Sequence, residues 1–389
     1  MAWSVPLHSA IHRHWTVVLQ PKRYHSLRAA VRSGHRRLLS TFSRTAGARP
    51  IMSSGQRVLI TRRLPDSMLD TIRKQLPGVT LAMHDAEQEA MAREEMERAL
   101  RQGVDAVVCV IGDRIDAPLL QCDAEQRLKV VATVSVGYNH IDVAACRARG
   151  IAVGHTPDVL TDTTADLAVG LLLATARRFR EALQAVETPG AWSSSWSLEW
   201  LCGADVHHKT VGIVGLGRIG AAVAHRLHHG FGCHILYHGP RDKPQEAAAL
   251  GPAEFVASLP QLLQRSDFVL PFCPLTPETY HLFGADLFAH MKPSAMLINV
   301  SRGEIVNHDD LIQALERRQL AAYGADVTEP EPFPADHPLL RRPNVTILPH
   351  IGSASHATRA AMAAMTVDNV VAGLRGLPLP HAVDAGGNT

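Results

Sequence analysis

The chain has 389 residues, 46% hydrophobic and 20% charged, with a formal net charge of +2. That length exceeds one ordinary core and predicts two domains, and the usage is that of a folded globular protein rather than a disordered one. The longest apolar run, "LAVGLLLATA" at 167–176, is far shorter than the roughly 20 residues of a membrane span, so no membrane partner is expected.

The first 52 residues carry nine Lys/Arg and no Asp or Glu; removing those nine from the 39 leaves 30 basic residues against 37 acidic, a net of −7. Arg28, Arg32 and Arg36 recur every fourth residue beside Leu27, Val31 and Leu38, the pattern of an acid-poor mitochondrial transit peptide. That accounts for the basic arm without a nucleic-acid partner. The alternative is translation from Met52, since "MSSGQRVLITRR" leads straight into a strand. Residues 1–52 are set apart from the fold in both cases, and the location is mitochondrial in one and cytoplasmic in the other. The six cysteines are scattered with no CxxC pair, which argues for a reducing compartment and against a disulfide framework or a metal site.

From Arg57 onward, short β-branched runs ("RVLIT", "VTLAM", "DAVVCVI", "KVVATVSV", "IAVGH") alternate with segments of helical spacing at 67–76, 93–102, 117–127 and 142–150. The alternation predicts a parallel sheet covered by helices. A longer helix is expected over 161–178, with Asp162 or Thr163 as its N-cap. The linker "GAWSSSWSLEWLCG" then places Trp192, Trp196 and Trp200 within nine residues, suited either to a partner subunit or to stitching two domains together. A second βαβ series runs from "KTVGIVGLGRIGAAVAHRL" through "SDFVLPFCPLT", "AMLINVSRG", "AAYGADVT" and "NVTILPH" to a closing helix at about 357–374.

Gly215, Gly217 and Gly220 follow the apolar strand 210–214 and open an apolar-periodic helix, so "GLGRIG" predicts a dinucleotide site. Gly215 permits the tight turn, Gly217 lets the backbone approach a pyrophosphate, and Gly220 lets helix and strand pack closely. The next strand ends at Tyr237 and His238, where an NAD site usually places an acid; Arg241 and Lys243 follow. The basic pair suits a 2′-phosphate and favours NADP(H), with Asp242 keeping NAD(H) open.

Arg302, Glu331 and His350 each stand just past a strand of this second series, where ligands of open α/β sheets bind. Together they suit reduction of a 2-oxo acid. A guanidinium grips the carboxylate bidentately, a histidine delivers the proton near neutral pH, and a carboxylate orients and charges the imidazole.

These segments, with "VATVSVGYNHID", "TPDVLTDTTADLAVGLLLATARR", "PLTPET", "LINVSRGEIVN", "ADVTEPEPFP" and "LPHIGSASHATR", resemble the D-isomer-specific 2-hydroxyacid dehydrogenases from about Arg57 to the C-terminus. The resemblance implies an α/β chain of two domains. A Rossmann dinucleotide-binding domain spans 159–355, and a discontinuous flavodoxin-like substrate domain spans 55–158 and 356–385. It implies NADPH-dependent reduction of glyoxylate and hydroxypyruvate by a homodimer. Arg302, Glu331 and His350 fall on the family's catalytic positions. Val136 and Gly137 would bind the substrate carboxylate through backbone N–H groups, with Trp196 lent to the partner's site. Arg218, Ile219, Pro274, Val300, Asp326, Gly352 and Ser353 would complete the cofactor site, Asp326 on the carboxamide side. Asn139 departs from the family's common aspartate, and Pro274 and Ala325 from a serine and a leucine. Corepressors related to the family keep the same fold and residues, so a dinucleotide-sensing binding protein with little turnover is the alternative.

Overall fold

The computed structural model describes residues 55–85, 89–193 and 197–383. Two parallel sheets account for the two series. The first is built from β1 (Arg57–Ile60), α1 (Asp66–Gln75), β2 (Thr80–Met83), α2 (Arg93–Arg101), β3 (Ala106–Cys109), α3 (Ala117–Gln121), β4 (Val130–Thr133), α4 (Val143–Ala148) and β5 (Ala152–Gly154). Its strand order, β2-β1-β3-β4-β5, is that of flavodoxin-like folds.

The chain then crosses through α5 (Thr161–Ala176) and α6 (Phe179–Glu187). It continues with β6 (Thr210–Val214), α7 (Arg218–Phe231), β7 (His234–His238), α8 (Pro244–Leu250), β8 (Ala253–Phe255), α9 (Leu259–Arg265) and β9 (Phe268–Pro271). The remaining elements are α10 (Ala285–Phe288), β10 (Met296–Asn299), α11 (His308–Glu316), β11 (Ala322–Ala325), β12 (Val345–Ile347) and α12 (His356–Leu374). The second sheet, ordered β12-β11-β10-β9-β6-β7-β8, is doubly wound with its switch point between β6 and β9.

Burial explains the assignment of helices to sheets. Ala165, Ala168, Leu171, Leu172 and Ala176 of α5 share one core with Ile213, Leu270 and Ile298 of the second sheet. Ala363, Val367, Val370, Val371 and Leu374 of α12 instead join Val58, Ile60, Val108 and Val130, so the last helix returns to the first sheet. It lies close: a Cβ on Gly373 would stand 2.6 Å from Val130 Cβ. Ser355 caps α12 by accepting from the Thr358 N–H at 3.2 Å.

The structure corrects three sequence expectations. The N-cap of α5 is Leu160, without a side-chain bond. Asp162 instead accepts from Arg226 at 3.0 Å, and Thr163 shares a 2.7 Å hydroxyl bond with Thr358. The helix expected over 161–178 ends at Ala176. Arg178 turns left-handed at φ 55° and starts α6. The helix expected over 117–127 stops at Gln121, because both oxygens of buried Asp123 accept from the backbone N–H groups of Arg127 and Leu128. Trp192 and Trp200 are 56% and 42% exposed, so neither is buried in a joint between domains.

Candidate active site

Register brings the three ionisable residues to one edge. Asn299 pairs with Ala325 across β10 and β11, and Ala325 pairs with Ile347 across β11 and β12. The strands therefore end level, and the loops carrying Arg302, Glu331 and His350 leave the sheet side by side. A Cβ on Gly303 would stand 2.0 Å from the Thr328 carbonyl carbon, so only glycine lets the first two loops touch.

His350 Nδ1 lies 2.8 Å from Glu331 Oε2, with 27% and 36% of the two side chains exposed. Because the carboxylate accepts, Nδ1 carries a hydrogen, and Nε2 makes no hydrogen bond among the described residues. The other oxygen, Glu331 Oε1, accepts from the Thr328 N–H at 2.9 Å. Burial alone would raise the Glu331 carboxyl, but the His350 bond and charge, the Thr328 N–H and Arg302 together hold it below the usual carboxylate range. Arg302 and Glu331 are thus near enough for each charge to act on the other. Burial works against the Arg302 charge, and Glu304 and Glu331 oppose that effect.

Asp326 has a task that the sequence did not reveal. It is 1% exposed, and its two oxygens accept from the N–H groups of Ile351 and Gly352 at 2.8 and 2.6 Å. Those bonds pin the loop that holds His350, itself in a left-handed turn at φ 54°. Burial raises the Asp326 carboxyl despite both N–H donors and the nearby His350. Asn299 does the same for the Arg302 loop: its Nδ2 donates to the Arg302 carbonyl at 2.8 Å, and its Oδ1 accepts from the Ser301 N–H at 3.1 Å.

Facing this edge is the loop after β4. The Val136 and Gly137 N–H groups make no hydrogen bond among the described residues. The Val136 carbonyl is 2.9 Å from His155 Nδ1, and the Gly137 carbonyl accepts from Ser135 Oγ at 2.7 Å. Tied at their carbonyls, these peptides leave two N–H donors beside Arg302, whose Nη2 would lie 1.7 Å from a Cβ on Gly137. That is a cradle for a small carboxylate.

The glycine turn fits a dinucleotide. Gly215 has φ +103° and a Cβ there would stand 2.7 Å from Cys273 N; a Cβ on Gly220 would stand 2.4 Å from the Gly215 carbonyl oxygen. Gly217, in contrast, opens onto space, with nothing within 4 Å of its Cβ direction. It begins α7 without a side-chain cap, so the first-turn N–H groups remain for an anion. Lys243 reaches back over this turn, its Nζ donating to the Leu216 carbonyl at 2.9 Å. Asp242 accepts from the Tyr237 hydroxyl, and Arg241 is exposed at the strand end. Arg218 is paired with Asp158. Ile219 and Ser353 are half-buried, Val300 is buried at 7%, and Pro274 is exposed with its carbonyl accepting from Thr279 Oγ1 at 2.7 Å. Trp196 lies outside the described residues.

The chain is similar to known proteins in sequence and fold. The family model described as "D-isomer specific 2-hydroxyacid dehydrogenase, NAD binding domain" matches residues 169–352. A human glyoxylate reductase/hydroxypyruvate reductase is 46% identical over 325 residues, covering 83% of this chain and 96% of the relative. A Thermus thermophilus protein of known structure superposes with a TM-score of 0.77 at 41% identity, covering 85% of this chain and all of that one (100%). The NADPH-dependent glyoxylate/hydroxypyruvate reductase of Sinorhizobium meliloti, solved with citrate, gives 0.71 at 31% identity, covering 84% and 97%. The same Sinorhizobium protein is also known with NADP and malonate.

Proposed function

The chain belongs to the D-isomer-specific 2-hydroxyacid dehydrogenases, and within that family we propose that it reduces glyoxylate to glycolate and hydroxypyruvate to D-glycerate, with NADPH preferred over NADH. The observation that carries this is the His350–Glu331 pair standing beside Arg302 at the strand edge that also holds the glycine turn. A bound dihydronicotinamide supplies the hydride to the carbonyl carbon. Arg302 and the N–H groups of Val136 and Gly137 hold the substrate carboxylate and so aim the neighbouring carbonyl. His350 Nε2 gives its proton to the carbonyl oxygen as negative charge develops there. Glu331 keeps the imidazole in the right orientation through its bond to Nδ1. Gly215, Gly217, Arg218, Ile219 and Gly220 would cradle the pyrophosphate, with Pro274 near the adenine, Val300 under the cofactor, and Asp326, Gly352 and Ser353 at the nicotinamide end.

We take 159–355 as the cofactor half, and 55–158 with 356–385 as the substrate half. The sensing alternative is the less favoured reading, because the relatives this chain resembles are glyoxylate/hydroxypyruvate reductases. Steady-state oxidation of NADPH, and separately of NADH, with glyoxylate and hydroxypyruvate tests the reading. Tight NADPH binding without turnover would sink it.

Arg241 and Lys243 would meet a 2′-phosphate, a reading supported by Asp242 accepting from Tyr237 and by Lys243 reaching over the glycine turn. Replacing both with Ala should raise the KM for NADPH about tenfold or more and leave that for NADH unchanged. Equal effects on both cofactors would end the 2′-phosphate argument.

A homodimer is supported by α6, which buries none of its residues. Phe179, Leu183 and Val186 are 52%, 62% and 66% exposed along one face, followed by exposed Trp192, Leu198 and Trp200. Leu183→Asp combined with Val186→Asp should convert a dimer to a monomer in sedimentation equilibrium; a dimer that persists places the interface elsewhere. The arginine-stepped segment 1–52 supports a mitochondrial enzyme when translation begins at Met1 and a cytoplasmic one when it begins at Met52.

A further inference from the structure

Arg302 is held by more than its own loop. Its Nε donates to Asn139 Oδ1 at 3.0 Å, its Nη1 donates to the Ser301 carbonyl at 2.7 Å, and its Nη2 stands over Gly137. A guanidinium only donates, so the Asn139 atom facing it must be the carbonyl oxygen, and the amide orientation is fixed. Asn139 lies 163 residues away in the chain, on the first sheet's loop, whereas Arg302 leaves the second sheet. This single bond therefore spans the cleft between the two halves.

The platform beneath Asn139 is rigidly tied. Thr133 Oγ1 is 2.7 Å from Ser135 Oγ and 3.0 Å from His140 Nε2, and Ser135 in turn holds the Gly137 carbonyl. His140 is pushed down to about 4 by burial and then by the Arg302 charge, so it stays neutral beside the guanidinium at pH 7. Among these groups, Asn139 alone reaches across to Arg302.

We propose that Asn139 is a positioning residue, whose side-chain oxygen fixes the rotation of the Arg302 guanidinium so that its Nη2 edge faces the substrate carboxylate beside the Val136 and Gly137 N–H groups. The position requires an acceptor rather than an amide as such, and an aspartate there meets the same need. Without an acceptor, Nε has no partner and the guanidinium is left with only the Nη1 bond to the Ser301 carbonyl, which does not fix where its Nη2 edge points. The inference rests on the reductase reading for its substrate, but its geometry concerns carboxylate capture alone.

The test uses the full chain loaded with NADPH and follows oxalate binding by calorimetry, alongside the KM and kcat for hydroxypyruvate. Asn139→Ala should weaken oxalate and raise the KM together by about tenfold or more, with kcat changed much less. Asn139→Asp should restore both to within about threefold of the natural chain. Unaltered NADPH affinity in each variant shows that the fold survives, as expected for an exposed side chain. Unchanged oxalate affinity in Asn139→Ala overturns the proposal. Equal weakening by Ala and Asp also overturns it, because loop packing would then be the cause. Absence of hydroxypyruvate turnover in the natural chain, with the oxalate pattern intact, removes the reductase reading and leaves the positioning role standing.

Discussion

Replacing His350 with Gln should lower kcat for hydroxypyruvate by about 100- to 10,000-fold while NADPH affinity stays at its original value. The glutamine amide preserves a donor toward Glu331 and roughly the size of the ring, so the loop pinned by Asp326 has no reason to move. What disappears is a group able to give up a proton at neutral pH. A mild effect would remove His350 as the acid.

Glu331→Gln is the graded version of the same test. The carboxylate is held below its usual range and is therefore ionised throughout the neutral region, where it accepts from His350 Nδ1. A glutamine there loses the charge but keeps an oxygen for that bond, so kcat should fall by about tenfold or more, less than for His350→Gln, with NADPH affinity unchanged. An unchanged kcat would separate Glu331 from the proton transfer.

Much of the site was legible because its residues sit at strand ends. β-branched runs identify the strands, a parallel sheet fixes their common direction, and residues just beyond them must gather at one edge. Arg302, Glu331 and His350 could be read on that basis, as could the glycine turn. Contacts between residues far apart in the chain were not legible. Asn139 showed only as a departure from a family pattern, and its bond to Arg302 depends on how two loops from different sheets approach. The bonds that both oxygens of Asp326 make to the His350 loop likewise had no signal in the sequence. The break after Ala176 carries no Gly or Pro; Arg178 adopts the left-handed conformation itself, so the boundary had no signal in composition.

Gly137→Ala should cost about 100-fold or more in kcat/KM without lowering the melting temperature, a combination that core damage would not produce. The added Cβ would stand 1.7 Å from Arg302 Nη2 and 2.9 Å from Cζ, a separation that no pair of atoms sustains. The obstructed group is the tip of a long side chain, so it swings away and the fold absorbs the change. Gly137 lies outside the left-handed region, so alanine adds no backbone strain. Once displaced, the guanidinium leaves its place beside the Val136 and Gly137 N–H groups, and the carboxylate loses its strongest contact. Arg302→Ala should reach the same low activity by deleting the group outright. The double variant should then be little worse than either single one, since both remove one interaction. Additive losses would mean that Gly137 acts through the loop rather than through Arg302. Near-normal activity of Gly137→Ala would mean that the guanidinium is not what grips the substrate.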